Sequence, residues 1–431
     1  MAAFFRMLSG DRHVAFCPMN FVADTYIGCP HSCWYFYAPA STCRGRFEES
    51  STRFRKFRRR IKSENDFGKI ENAITQGQVK GTCERGQEQF IAEAIRHRHP
   101  LRVGSLSDPF GLPLEKEYGD TRRVLEILVS HDYPFVVCTK SPFVATPTYV
   151  NLLKSADGKA AAQISLMSLD DDLLKHLESR PGAATPSAKS RLEALRRLSN
   201  EGVFTTCRIQ PMIPQVTEYG MEDLINAVVE AGVDHIIVEF LWLPLVHAKD
   251  MGSKLKMALD EYCRAGGIVG DDLRRHGNDL NAFYRSYEDS ERAYGRVFYS
   301  KRQMARLMPV FADMIAEANR EHNAKVTFGS GNEEISFLNS TENCCGVDRL
   351  PAFSGYPKCI AQTALRSARI KGRVSLDQVR QHYNPYAEKF TELWNKRNRK
   401  GYFFEDRVFK LRGVESDHEV EYAYDDAAIP S

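Results

Sequence analysis

The chain has 431 residues, long enough for one large α/β domain with an appendage or for two domains, and its 43% apolar and 27% charged residues are ordinary for a soluble globular protein. No run approaches about 18 apolar residues and the N-terminus has no sustained apolar core. A membrane span and a signal peptide are therefore not expected, and the chain reads as cytoplasmic. The net charge of +3 excludes little, and eleven cysteines in such a chain argue for reduced thiols and metal chemistry over a disulfide framework.

Short runs rich in β-branched and aromatic residues alternate with amphipathic stretches of helical length, the signature of βαβ units around a parallel sheet. Strands are expected at 21–27, 101–106, 134–139, 161–168, 203–212 and 235–243, with helices at 86–97, 116–130, 145–155, 187–201 and 220–232. Leu192, Leu195 and Leu198 mark one helical face, and Gly202 closes that helix. No Gly-x-Gly-x-x-Gly follows a strand and no Walker loop is present, which argues against conventional dinucleotide or P-loop binding. Beyond Leu243 the alternation breaks. Residues 247–323 read as largely helical, with a further strand at 324–328. Three segments are expected: a barrel over 1–245, a mainly helical extension over 246–330, and a C-terminal module over 331–431. That module carries Cys344, Cys345 and Cys359, and the acidic stretch 414–431 reads as a mobile end.

The densest motif is Tyr26-Ile-Gly-Cys29-Pro-His-Ser-Cys33-Trp-Tyr35-Phe36-Tyr37. Iron–sulfur clusters are held by thiolates, and two cysteines sit here four residues apart. The spacing resembles the Cys-x-x-x-Cys-x-aromatic-Cys loop of the radical S-adenosylmethionine (radical SAM) family, with Phe36 at the place of the third cysteine. The resemblance implies that Cys29 and Cys33 ligate a [4Fe-4S] cluster, that S-adenosylmethionine binds the open iron, and that Tyr35 lies against its adenine. Phenylalanine has no atom that coordinates iron. Three readings stand side by side: Phe36 replaces a natural cysteine, Cys43 or Cys17 supplies the third thiolate, or the cluster is lost and the fold kept for binding.

Further matches follow in order at expected strand ends. Ser107-Asp108-Pro109, Thr139-Lys140-Ser141, Ser165 with Ser168, and Arg208-Ile-Gln-Pro-Met-Ile-Pro resemble the corresponding stretches of the spore photoproduct lyase-like group. The resemblance covers about residues 20–245 and implies a partial (β/α)6 TIM-type barrel. It also implies that Ser107 and Asp108 meet the amino end of the cofactor, that Lys140 and Arg208 are carboxylate partners, and that Ser165 and Ser168 point into the barrel. An arginine inside an apolar strand rarely lies buried without a partner, and its planar fork suits a carboxylate.

What is implied is a radical SAM enzyme that generates a 5'-deoxyadenosyl radical, served by a reductase or a flavodoxin-type electron donor. Cys138 or Tyr37 is the candidate to return hydrogen to a product radical. From Arg44 to Lys62 there are nine basic residues, Arg55, Arg58, Arg59 and Arg60 among them, interleaved with Phe47, Phe54 and Phe57. Such a patch can neutralise phosphates and stack on bases, which makes a nucleic-acid base the expected substrate, in repair, modification or rearrangement. The alternatives are a solvated basic surface, a radical enzyme acting on a small molecule or peptide, and a cluster-deficient nucleic-acid-binding protein. Cys344, Cys345 and Cys359 would suit an auxiliary iron–sulfur cluster or, with a histidine, zinc; otherwise they are ordinary buried thiols beside a turn.

Overall fold

A computed structural model describes residues 3–7, 19–31, 33–35, 57–83, 86–179, 185–244, 248–290, 292–293, 296–353 and 362, with three further strands, Arg373–Ser375, Phe409–Ser416 and Glu419–Tyr424. Cys17, Phe36, Tyr37, Cys43, Arg55 and Cys359 lie outside the described residues.

One eight-stranded sheet runs in the order β1 (Phe5–Met7), β2 (Phe21–Ala23), β3 (Leu101–Val103), β4 (Phe135–Thr139), β5 (Ala160–Ser165), β6 (Phe204–Met212), β7 (His235–Phe240) and β8 (Thr327–Ser330). From β2 to β8 every neighbour is parallel and follows in chain order, whereas β1 adds antiparallel at the edge. Parallel neighbours need crossover connections, and helices supply them. Glu88–Arg96, Asp120–Ser130, Pro147–Ser155, Ala188–Asn200 and Met221–Glu230 form where the hydrophobic periodicity places them. This is the winding of an α/β partial barrel, with the six parallel strands expected before Leu243 and a seventh beyond it. The seventh, β8, is the strand expected at 324–328.

Several expectations need correction. The expected strand 21–27 divides at Asp24, whose Oδ1 accepts from the backbone N–H groups of Ser105, Leu106 and Ser107 at 3.0, 2.8 and 3.0 Å. After it, Tyr26–Ile27 pairs with Arg58–Arg59 instead. β5 stops at Ser165, so Ser168 is not a strand residue; its Oγ accepts from the Asp170 N–H at 3.1 Å at the head of helix Asp171–Glu178. The acidic stretch read as a mobile end contains Glu419–Tyr424, which pairs with Phe409–Ser416 and Arg373–Ser375. Its period-two pattern of Val420, Tyr422 and Tyr424 between charges favours a strand, and attention to charge alone passed over it. Helix Glu64–Gln76, with buried Phe67, Ile70, Ala73 and Ile74, was missed for the same reason.

Alternation along the strands sorts side chains into two cores. Leu101, Val103, Phe135, Val137, Ala162, Ile164, Cys207, Ile209, Ile236 and Val238 face the helices. The other parity holds Val136, Ala161, Phe204 and Ile237, which pack with Met19, Cys345, Val347 and Phe353. These four strand residues lie toward the N-terminal halves of their strands, so residues 343–353 plug the lower mouth of the barrel. His235, the first residue of β7, fastens the plug: its Nε2 lies 2.9 Å from the Cys344 carbonyl oxygen and its Nδ1 2.9 Å from Thr327 Oγ1. Gly346 turns the plug with φ +65°, and a Cβ there would stand 2.5 Å from the His235 ring.

Two outcomes follow for stability. Gly346→Ala should cost about 1–3 kcal/mol, from left-handed backbone strain and the ring clash together, measured as a lower urea midpoint; an unchanged midpoint would refute the anchoring role. Burial lowers the His235 pKa to about 4 against the hydrogen bond to Cys344. The unfolded chain therefore binds the proton first, and stability present above about pH 6.5 should decline as pH falls toward 4, by up to about 3 kcal/mol. A His235→Gln variant should lose that part of the pH dependence.

Candidate functional site

At the opposite mouth the C-terminal strand ends surround a cleft with about 990 Å³ of empty space, counting that at its open mouth. Cys29, His31, Cys33 and Tyr35 come from the loop after Tyr26–Ile27, and Gly104 to Asp108 from the turn after β3. Thr139 and Lys140 end β4, Ser165 ends β5, Arg208 and Gln210 lie late on β6, and Glu239 lies late on β7, followed by Leu241 and Trp242. Of the residues singled out in the sequence, Cys29, Cys33, Tyr35, Ser107, Asp108, Cys138, Lys140, Ser165 and Arg208 line this one cleft, and Ser168 does not.

The loop is held by a buried charge network. Glu178, on helix Asp171–Glu178, accepts from Arg191 Nη2 at 2.5 Å through Oε2, and from Lys140 Nζ and the Tyr35 hydroxyl through Oε1. Lys140 Nζ also lies 2.5 Å from the Tyr35 hydroxyl oxygen and 3.3 Å from Cys33 Sγ, with its charge 4.8 Å from the Tyr35 ring centroid. Burial pushes the Glu178 carboxyl up, but Arg191 and Lys140 outweigh it and the group is held well below the usual carboxylate range. The carboxylate partner that Lys140 has is thus a residue of the chain itself. Two cations face one carboxylate here, leaving one positive charge beside Cys33.

Asp108 is equally occupied. Oδ1 accepts from Thr139 Oγ1 at 2.6 Å and the Phe110 N–H at 2.9 Å, and Oδ2 from the Lys140 N–H at 2.8 Å, with His31 Nε2 3.0 Å away. Burial opposes ionisation, yet the contacts with His31, Thr139 and the Lys140 backbone keep its pKa below the usual value. Asp108 therefore fixes the turn and the His31 ring, while His31 Nδ1 is buried without a hydrogen-bond partner.

The donor set for a cluster can be tested directly. Cys29 and Cys33 share the cleft, and burial raises both thiol pKa values. Position 36 is a phenylalanine, and among the described residues no three of His, Cys, Asp and Glu stand together so as to hold a metal ion. Two thiols and one orphan imidazole nitrogen do not complete a three-thiolate site. Cys344 and Cys345 have their sulfurs 3.9 Å apart in the plug, and Arg102 Nη2 lies 3.6 Å from Cys345 Sγ. The Cys345 pKa falls to about 5 through a hydrogen bond from Cys344, against burial, helped by Arg102 and Arg208.

Arg208 Nη1 donates to Gln163 Oε1 at 2.6 Å and Nη2 to Gln210 Oε1; Gln210 Nε2 donates to Glu239 Oε2 at 2.6 Å. Cys138 Sγ lies 3.3 Å from the same Gln163 oxygen, and burial raises its pKa. Sequence reasoning missed His31, Arg102, Gln163, Gln210, Glu239 and Trp242. The argument used for Arg208, a charge within an apolar strand, applies equally to Arg102 in Leu-Arg-Val and to Glu239 in Ile-Ile-Val-Glu-Phe.

Of the basic stretch, Arg58, Arg59, Arg60 and Lys62 are described, and two of them are met by neighbouring groups. Arg59 makes a two-point bond with the buried Asp120 at 2.8 and 2.7 Å and lies 4.1 Å over the Tyr118 ring. Arg60 is buried and donates to the Ala3 carbonyl oxygen. Of the patch residues Arg58, Arg59 and Arg60, Arg58 alone is exposed. Within the expected basic stretch of nine residues, Arg59 and Arg60 are thus met by neighbouring groups, while Arg44, Arg46, Arg53, Arg55 and Lys56 lie outside the described residues.

Glu178→Gln should destabilise the fold by about 3–5 kcal/mol, because it leaves Arg191, itself fully buried, with an uncompensated charge. Denaturant unfolding measures this, and a loss below about 1 kcal/mol would show that the network does not hold the site.

No protein-family model matches the chain, and no curated protein sequence matches it. Among solved structures it is similar to a spore photoproduct lyase double mutant with bound AdoMet and dinucleoside spore photoproduct, at 15% identity and TM-score 0.48, over 74% of this chain and 78% of that one. It is also similar to the radical S-adenosylmethionine methyltransferase TsrM from Kitasatospora setae with tryptophan substrate and a SAM analogue, at 13% identity and TM-score 0.42, over 81% of this chain and 62% of that one.

Proposed function

We propose that this chain is a radical SAM-type enzyme whose cofactor half is the wall formed by Cys29, Cys33, Tyr35, Ser107, Lys140, Ser165 and Arg208. The observation that carries the reading is convergence: motifs spread from residue 29 to residue 208, quoted from the sequence in order, line one cleft at the C-terminal ends of parallel strands. In parallel α/β folds that is where function gathers. In this reading Arg208 offers its guanidinium to the cofactor's carboxylate, and Tyr35, its ring fixed by Glu178 and Lys140, offers a face to adenine. Lys140 places an ammonium beside Cys33 and favours its thiolate. Asp24 and Asp108 hold the 104–108 turn in place. The bound cluster would supply electron transfer to the cofactor, and it needs a ligand beyond Cys29 and Cys33.

The substrate reading is finer. Among the described residues of the basic stretch Arg58 and Lys62 are exposed, whereas the cleft presents Arg102, Arg208, Glu239 and Trp242 to a small molecule. The small-molecule alternative is therefore favoured. Docking of DNA through the patch would show as salt-dependent binding that weakens when Arg58, Arg59 and Arg60 become alanine.

Anaerobic reconstitution with iron and sulfide tests the main reading. The chain with Phe36 should bind S-adenosylmethionine and retain little iron, while Phe36→Cys should gain a full [4Fe-4S] cluster and cleave the cofactor under reduction. No cluster in Phe36→Cys, or no S-adenosylmethionine binding by either protein, would defeat the radical SAM reading.

A further inference from the structure

The plug at the lower mouth holds a pair of sulfurs that play no part in the proposed cofactor wall. Adjacent side chains in extended backbone point to opposite faces, but Cys344 and Cys345 are the two central residues of a tight turn. The Gly346 N–H donates to the Asn343 carbonyl oxygen at 3.2 Å, the Cys345 N–H donates to Asn343 Oδ1 at 3.0 Å, and Gly346 leaves the turn with φ +65°. The turn brings the two Sγ atoms to 3.9 Å, and both are thiols. Among the described residues no third histidine, cysteine or carboxylate completes a metal site with them.

The two thiols differ in what they meet. Cys344 is half-buried and within reach of a small reagent, whereas Cys345 is 1% exposed and its Sγ lies 3.6 Å from Arg102 Nη2. A guanidinium beside a sulfur favours the thiolate. An outer thiol that meets the oxidant first, with a shielded thiolate next to it, is the arrangement of a sensing cysteine and its resolving partner. The pair is also tied to the sheet. His235 Nε2 lies 2.9 Å from the Cys344 carbonyl oxygen, and a Cβ at Gly329 would stand 3.0 Å from Cys344 Cα, so β8 packs against the same residue.

We propose that Cys344 and Cys345 form a reversible two-electron redox site, oxidised by a hydroperoxide or a small disulfide, and that closing it loosens the plug. With a peroxide, the Cys344 thiolate attacks one oxygen, the O–O bond breaks and water or an alcohol leaves, giving a sulfenic acid; Cys345 then attacks Cys344 Sγ and displaces the oxygen as water. With a disulfide such as oxidised glutathione, the Cys344 thiolate takes one half as a mixed disulfide and releases the other as a thiol; Cys345 then displaces the second. By either route the pair gives up two electrons and two protons to the oxidant. Adjacent Cα atoms are about 3.8 Å apart, below the roughly 4.4–6.8 Å that a relaxed disulfide spans. The ring is therefore strained and readily reduced, and forming it turns the peptide whose carbonyl His235 meets.

Trypsin releases residues 326–349 as one peptide whose two cysteines are Cys344 and Cys345, so the pair reads out by itself. The full chain is reduced, freed of reductant and treated anaerobically with hydrogen peroxide or, separately, with oxidised glutathione. It is then unfolded in N-ethylmaleimide, digested and weighed by mass spectrometry. The untreated peptide should carry two maleimide groups. After an effective oxidant it should carry none and weigh two hydrogens less than the dithiol, and dithiothreitol should restore both thiols; which reagent acts tells a peroxide from a disulfide source. Cys345→Ser should stop the reaction on Cys344, as a glutathione mixed disulfide or as a sulfenic acid trapped by dimedone. The oxidised chain should unfold at a lower urea midpoint than the reduced one, a shift absent from Cys344→Ser. Two maleimide groups after both reagents, a disulfide from either cysteine to a peptide elsewhere in the chain, or a Cys344–Cys345 disulfide that leaves the midpoint unchanged would each overturn the proposal.

Discussion

The curvature of the parallel sheet is the constraint on which the rest depends. A curved sheet has a concave face that must be filled, and period-two alternation decides with what. Below, Val136, Ala161, Phe204 and Ile237 meet the apolar plug of Val347 and Phe353. Above, the same parity continues as Cys138, Gln163, Arg208 and Glu239, of which Cys138, Arg208 and Glu239 line the cleft and Gln163 lies buried behind them. The upper half of each strand is where the chain gives up close packing to present chemistry.

Charge compensation in the cleft follows two patterns. On the loop side Glu178 gathers Arg191, Lys140 and Tyr35, so the cations are matched by the chain's own carboxylate except for one charge next to Cys33. On the far side burial raises the Glu239 pKa against the guanidiniums of Arg208, Arg102 and Arg296. Buried ion pairs are weak devices for stability but strong ones for placing groups. Here Glu178 holds the Tyr35 hydroxyl and Lys140 Nζ together, and Lys140 Nζ lies 3.3 Å from Cys33 Sγ.

The sequence was legible where one principle acts alone. The strands of residues 101–240 and their helices follow from periodicity, and the cleft-lining motifs follow from resemblance at strand ends. It was less legible where two signals overlap. The run at 58–60 reads as cationic, yet Arg59 finds Asp120 sixty-one residues away and Arg60 finds the backbone near the N-terminus, partners that no local window contains. Glu419–Tyr424 carries both an acidic and an alternating pattern, and the alternation decides its structure. Arg102 and Glu239 announce themselves as charges in apolar strands, but that they face one another depends on curvature, which no single strand encodes. Glu178 lies ten residues beyond Ser168 in an ordinary amphipathic helix, and nothing local marks it as the partner of Lys140 and Arg191.

The contact between Arg102 and Cys345 joins the two mouths of the barrel. Arg102 lines the upper cleft, whereas Cys345 belongs to the segment that closes the lower mouth and is tied to β7 by His235. Because free energies of coupled sites are reciprocal, a ligand that draws the guanidinium upward must change the grip of the lower segment, and whatever loosens that segment must change the hold on the ligand by the same factor. The floor of the barrel is thus joined to its ceiling through Arg102 and through Gln163, which bonds both Cys345 and the cleft residue Arg208.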